Sequence, residues 1–314
     1  MPNPSRHPLR LGTRGSALAI AQAGRVSELL ARLGEDVELV TITPSGDERP
    51  AGPPAQILGD KSRFVKEIEE ALLAGEVDLG VHSAKDVPSE LPDGLAIVGV
   101  PARADPRDAL CVAEGGRETL DGLPAGASVG TASLRRRAQL LARRPDLDVR
   151  ALRGNVDTRL RRLAEGELTA IVLAAAGLTR LGREEGRPIA ESVMTPAPGQ
   201  GCLALEAREG DVRARELAAR LTHRDSLAAL TAERALVGGI GASCHTPVGA
   251  HARLEDGTMH LDAFAGLPDG SAWIRDSMDG PAADPGGLGA AVARRLLAAG
   301  AAELLEGAER WPEG

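Results

Sequence analysis

The chain has 314 residues, 43% of them hydrophobic and 26% charged, with a net charge of −8. These proportions describe a globular protein long enough for two or three domains, and no apolar run is long enough for a transmembrane helix. Two Phe, two Trp and no Tyr leave the core to Ala, Leu and Val, and three scattered cysteines (Cys111, Cys202, Cys244) exclude a disulfide framework or a CxxC metal site.

In chain order, LRLGT (9–13) reads as a strand, followed by a helix from about Ser16 to Arg32 and a second strand, DVELVTIT (36–43). A Gly/Pro-rich loop covers 44–62, a length that is usually mobile and often functional, or else merely disordered. RFVKEIEEALLAG follows as a helix with Phe64, Ile68 and Leu72 on one face, then a strand at 77–83. The alternation continues with SVGT (128–131), a helix from Ser133, DVRAL (148–152), a helix from Asn155 and AIVLAA (170–175). Such repetition predicts an α/β fold of mostly parallel sheets with helices on both faces and ligands at the carboxyl ends of strands.

Pro-rich crossings at 101–110 and 194–201 bracket a middle segment, which predicts one domain inserted into another. The expected division is a first domain of 1–103 and 197–221, an inserted domain of 104–196, and a smaller α+β domain of 222–314 ending in a helix through GLGAAVARRLLAAGAAELL.

Three constellations carry chemistry. In VHSAKDVP (81–88), Lys85 and Asp86 follow a strand end; Lys85 would keep the carboxylate ionised, and Asp86 can then exchange a proton or hold a cation. The ordinary alternative is a solvated ion pair at a helix start. Residues 134–163 hold ten arginines against three aspartates. Arg135 and Arg136 fall in the first turn of a helix capped by Ser133, where the helix dipole opposes cations, so they need another explanation. A bound polycarboxylate supplies one, since Arg forks and helix N-termini both recognise carboxylates. A solvated basic face is the alternative. All three lysines (Lys61, Lys66, Lys85) lie within 25 residues. Lastly, GGIGASCHTPVG (238–249) puts Cys244 on a Gly/Pro loop, a better place to expose a thiol than to bury one. Cys111 and Cys202 read as core.

In order, LGTRGSALA, FVKEIEEALL, VHSAKDVP, ADPRDAL, VGTASLRRRAQL, LRGNVDTRL, AGLTRLG, PAPGQG, TAERA and the cysteine loop resemble the porphobilinogen deaminase (hydroxymethylbilane synthase) family of tetrapyrrole biosynthesis. The resemblance implies two lobes like those of periplasmic binding proteins with the active cleft between them, and a third, cofactor-bearing domain. It implies a dipyrromethane cofactor attached by a thioether to Cys244. Four porphobilinogen molecules are joined head to tail, each losing ammonia, before the linear tetrapyrrole is released. Carried over by motif, Asp86 is the catalytic acid that stabilises the azafulvene cation. Arg14, Ser16, Lys85, Ser133, Arg135, Arg136, Arg153, Arg159 and Arg180 bind cofactor and substrate carboxylates, with Lys61 and Lys66 as additions and Phe64 against the cofactor.

The same reading expects a cytoplasmic monomer with no metal and no nucleic-acid or membrane partner. The acidic charge, scarce aromatics and lack of a reading motif speak against nucleic acid. The alternatives are a non-enzymatic binding protein for a small polycarboxylate, a ligand-responsive DNA regulator and a thiol hydrolase.

Overall fold

The computed structural model describes residues 7–42, 60–116, 118–242 and 246–311, the side chains of 60–64 and 114 excepted. The chain divides into two compact units, one of residues 1–103 and 202–227, the other of 104–201 and 228–314. The first unit opens with β1 (Leu9–Arg14), α1 (Ala17–Arg32), β2 (Val37–Ile42), α2 (Asp60–Leu73), β3 (Leu79–Ser83) and β4 (Leu95–Gly99). In the second come β5 (Asp108–Val112), β6 (Ser128–Gly130), α3 (Leu134–Arg143), β7 (Asp148–Arg150), α4 (Val156–Ala164), β8 (Ala170–Ala174), α5 (Ala175–Arg180) and β9 (Arg187–Pro188). The chain returns to the first unit with β10 (Leu203–Arg208) and α6 (Val212–Leu221). It then follows α7 (Arg224–Gly239) into the second, which closes with β11 (Val248–Glu255), β12 (Thr258–Gly266), β13 (Trp273–Pro281), α8 (Pro285–Ala298) and α9 (Ala301–Glu309).

The alternation seen in the sequence yields two sheets of the same plan. The first runs β2-β1-β3-β10-β4 and the second β7-β6-β8-β5-β9. In each, one strand, β10 or β5, runs against its neighbours and the others are parallel to one another. The expected mostly parallel sheets are therefore present. A third, antiparallel sheet of β11-β12-β13 is covered by helices on one face: Leu261, Ala263 and Ala265 pack with Leu236 of α7 and Val292 and Leu296 of α8. With aromatics scarce, small residues bring elements close. A Cβ on Gly289 of α8 would fall 2.2 Å from the carbonyl oxygen of Ala232 in α7, so glycine is required at that crossing.

Helix α2 begins at Asp60, three residues before the start expected from periodicity, with an acidic residue at the positive end of the dipole. The expected loop at 44–62 lies outside the described residues up to 59.

One polar cluster interrupts the core of the first unit. Glu69 of α2, His82 of β3 and Glu206 of β10 are all buried, with His82 Nε2 2.9 Å from Glu206 Oε2. Gly80, opposite Glu206 in the β3–β10 register, leaves room for the imidazole, because a Cβ there would lie 3.0 Å from Nε2. Burial, and then the charge of Glu206, push the Glu69 carboxyl above its ordinary value. A carboxyl raised in the folded state contributes stability that is complete below its unfolded value and is lost as pH rises through the folded one. Glu69→Gln removes that loss. The variant is expected to melt at a higher temperature than wild type at pH 7, with the difference vanishing below about pH 4; a lower melting temperature at pH 7 would contradict this.

Candidate active site

In the first unit, the parallel neighbours β1 and β3 deliver their carboxyl ends side by side. After β1, Arg14 is half-buried and Ser16 caps α1, its Oγ accepting from the Ala19 amide at 3.3 Å. The hydroxyl proton stays available to a ligand oxygen. Thr13 Oγ1 donates to the Ala19 carbonyl from a buried position, fixing the turn. After β3, a single 3₁₀ turn, Ala84–Asp86, carries Lys85 and Asp86, both half-buried. The Ala84 amide donates to the Cys202 carbonyl, and Gln22 of α1 donates to Ser83 Oγ at 2.8 Å. Two cations, a capped helix N-terminus and one carboxylate thus gather at one sheet edge. Such a group can hold carboxylates and place an acid beside them.

Lys66 does not join this set. It is 71% exposed on α2 and pairs with Glu70 at 3.7 Å, the arrangement of a solvated surface pair. The side chains of Lys61 and Phe64 lie outside the described residues.

In the second unit, β7, β6 and β8 are parallel neighbours, and the predicted arginines follow their carboxyl ends. Ser133 caps α3, accepting from the Arg136 amide. Where the sequence pointed to a bound polyanion for Arg135 and Arg136, the structure supplies an internal partner, the fully buried carboxylate of Asp108 on β5. Arg135 Nη1 and Nη2 donate to its two oxygens at 2.7 and 3.2 Å, and Arg136 Nε at 2.9 Å. Arg135 also donates to the Thr195 carbonyl, Arg136 to that of Val172, and Gln200 to Asp108 Oδ1. Arg135 and Arg136 are only 4% and 6% exposed. Burial alone would raise the Asp108 carboxyl, but the two guanidiniums outweigh it and hold the group well below its ordinary value.

One carboxylate cannot neutralise two guanidiniums, and a third stands nearby. Gly154, with φ of +113° in the region that favours glycine, turns the chain after Arg153, and Asn155 caps α4. Arg159 then donates from Nε to the Gly154 carbonyl at 2.8 Å. Burial and the charge of Arg136 push the Arg159 guanidinium down to about 10. Among the described residues no carboxylate pairs with it. Arg180, at the end of α5, donates to the Gly201 carbonyl at 2.7 Å, and Arg153 is exposed. Of the remaining six arginines of the run, half-buried Arg137 donates to the Val149 carbonyl, and Arg143, Arg144, Arg150, Arg161 and Arg162 pair with Asp121, Asp146, Asp148, Glu165 and Glu167.

Cys244 lies outside the described residues, but the elements on either side of it are firmly tied. Buried Glu233 of α7 accepts from the Gly199 amide at 2.6 Å and from the Ala252 amide of β11 at 2.7 Å. Cys111 and Cys202 are buried as expected, and burial raises the Cys111 thiol to about 12, where it is inert. Asp108, Gln200 and Glu233 carried no individual role in the sequence reading. A lone Asp heading the apolar run DALCV was the available signal.

By geometry, then, this is an α/β protein whose parallel strand ends carry several cations and one half-buried Asp. A family model described as the dipyrromethane cofactor-binding domain of porphobilinogen deaminase matches residues 9–216, and one for its C-terminal domain matches 227–298. Proteins named porphobilinogen deaminase from Roseiflexus castenholzii and Thermus thermophilus are 50% and 48% identical to it, over 96% and 94% of this chain and 100% and 97% of theirs. The chain belongs to the porphobilinogen deaminase family. It is accordingly a transferase of tetrapyrrole biosynthesis that forms hydroxymethylbilane and uses a dipyrromethane cofactor.

Asp108→Asn strands two buried guanidiniums and is expected to cost about 3–5 kcal/mol at pH 7 in denaturant melts. A carboxylate lowered in the folded state contributes stability present above its unfolded value and lost as pH falls through the folded one, so wild type weakens below about pH 4 while the variant's curve is flatter there.

Proposed function

We propose that Cys244 anchors the dipyrromethane through a thioether and that Asp86 is the acid serving each addition of porphobilinogen. The observation that carries the carboxylate-binding part is the surplus of positive charge near Asp108, where Arg135 and Arg136 share one internal carboxylate and Arg159 stands close enough for the charge of Arg136 to act on it. A chain of pyrroles bearing acetate and propionate groups is the polyanion that such a surplus accepts. The donor set fits it: Arg forks, Lys85 and two cap hydroxyls, Ser16 and Ser133, all at strand-to-helix junctions. When bound, the dipyrromethane supplies the pyrrole end to which each unit is added.

Arg14, Ser16, Lys85, Ser133, Arg135, Arg136, Arg153, Arg159 and Arg180 hold the carboxylates in this scheme. Asp108 keeps the Arg135 and Arg136 forks in place without cancelling their combined charge. The Asp86 carboxylate accepts the substrate pyrrole N–H and offsets the positive charge left when ammonia departs from the aminomethyl carbon. Lys61 and Phe64 are retained as contacts from the first turn of α2, whereas the position of Lys66 favours a surface role.

The chain is further read as a cytoplasmic monomer acting on porphobilinogen, with no nucleic-acid partner. In support, the net charge is −8, and no helix among the described residues is long and apolar enough to cross a membrane. The three-domain division is supported by the apolar cluster of β11–β13 with α7–α9, which is separate from the clusters flanking β5, β6 and β8.

Intact-mass measurement tests the anchor. Wild type is expected to carry the mass of two pyrrole units and Cys244→Ser none; an unmodified wild type, or an adduct that survives the substitution, would sink the assignment. Asp86→Asn is expected to keep fold and adduct while kcat falls by about 10²-fold or more. Full turnover in that variant would remove Asp86 from the mechanism.

A further inference from the structure

The cluster of Glu69, His82 and Glu206 has no part in the scheme above. Three ionisable side chains are buried within one sheet-and-helix layer, yet Glu69 Oε1 and both Glu206 carboxylate oxygens lack a hydrogen bond among the described residues. Buried polar groups are normally satisfied, and an ion pair in a core is often no more stable than apolar side chains of the same size. Stability is therefore a poor reason for this trio. Local conflicts of this kind concentrate where a protein needs geometry more than stability.

Its location supplies the reason. The 3₁₀ turn bearing Lys85 and Asp86 is held by three elements: it continues β3, its Ala84 amide is bonded to the Cys202 carbonyl just before β10, and α2 packs against it. Each of those elements contributes one member of the trio. His82 stands four residues before Asp86 on β3, Glu206 four residues after Cys202 on β10, and Glu69 in the middle of α2. The 2.9 Å contact between His82 Nε2 and Glu206 Oε2 brings an imidazole of β3 against a carboxylate of β10 inside the core. Glu69 completes the group from α2, its carboxyl raised above the ordinary value by burial and by the charge of Glu206.

We infer that His82 and Glu206, with Glu69 above them, are positioning residues that set the Ala84–Asp86 turn, and hence the Asp86 carboxylate, at the angle that turnover requires. The ordinary apolar packing of β3 against β10 keeps the strands together; the buried pair sets their register and the lean of the outgoing turn. This rests on the reading of Asp86 as the acid.

The test is steady-state porphobilinogen consumption by cofactor-loaded wild type, His82→Gln, Glu206→Gln and the double variant, each checked for its adduct by intact mass. In each single variant kcat is expected to fall tenfold or more with KM within threefold and the adduct retained. The double variant, in which two neutral amides face each other, is expected to lose no more than the worse single one, because the two residues act as one device. Single variants with kcat within twofold of wild type, a loss confined to KM, or losses that multiply in the double variant would each overturn the inference. If Glu206→Gln does not fold, the double variant decides by itself: tenfold or greater loss of kcat at unchanged KM supports the proposal, and near-wild-type kcat overturns it. A wild type that carries no adduct and consumes no porphobilinogen would instead overturn the proposed function, so the two failures are distinct.

Discussion

The buried carboxylate of Asp108, between Arg135 and Arg136, is the constraint on which the second unit depends. It joins β5 to the first turn of α3 and, through Gln200 and the Thr195 carbonyl, to the Pro/Gly segment at 194–201. Its charge is too small for its partners, and that shortfall turns a structural element into a receptive one. The first unit carries the opposite imbalance, with two buried carboxylates around one imidazole beneath the turn that bears Asp86.

Much of this was legible from residues alone, because alternating apolar runs and helical patterns are local signals. Ser133 and Asn155 were recognisable as helix starts, and both cap their helices. The dipole argument at Arg135 and Arg136 pointed to a bound polyanion, whereas the partner the structure gives them is an internal carboxylate. Asp108 is 27 residues away and reaches the site only because β5 runs antiparallel beside β8. The trio of Glu69, His82 and Glu206 was invisible for the same reason: positions so distant in sequence share a core only after β10 has returned from the second unit. Lys66 shows the converse failure, in which clustering in sequence suggested a site and the helix turned the side chain to solvent.

The elements on either side of Cys244 are joined through one buried side chain. Glu233 takes one amide from the turn at Gly199 and another from β11, so α7 on one side and β11 on the other share a single carboxylate. The Ala250 amide adds a bond to the Pro196 carbonyl.

The near absence of aromatic side chains has an optical consequence. With no tyrosine and two tryptophans, near-ultraviolet absorption and emission come almost wholly from Trp273 and Trp311. Trp273 is stacked on Phe264 and lies under the Arg275 guanidinium, which also bonds the carbonyls of Ser192 and Val193. Its fluorescence is therefore a built-in gauge of one seam, where the β11–β13 sheet meets the segment before the Pro/Gly turn. Against so dark a protein background, a bound pyrrole chromophore stands out with little correction.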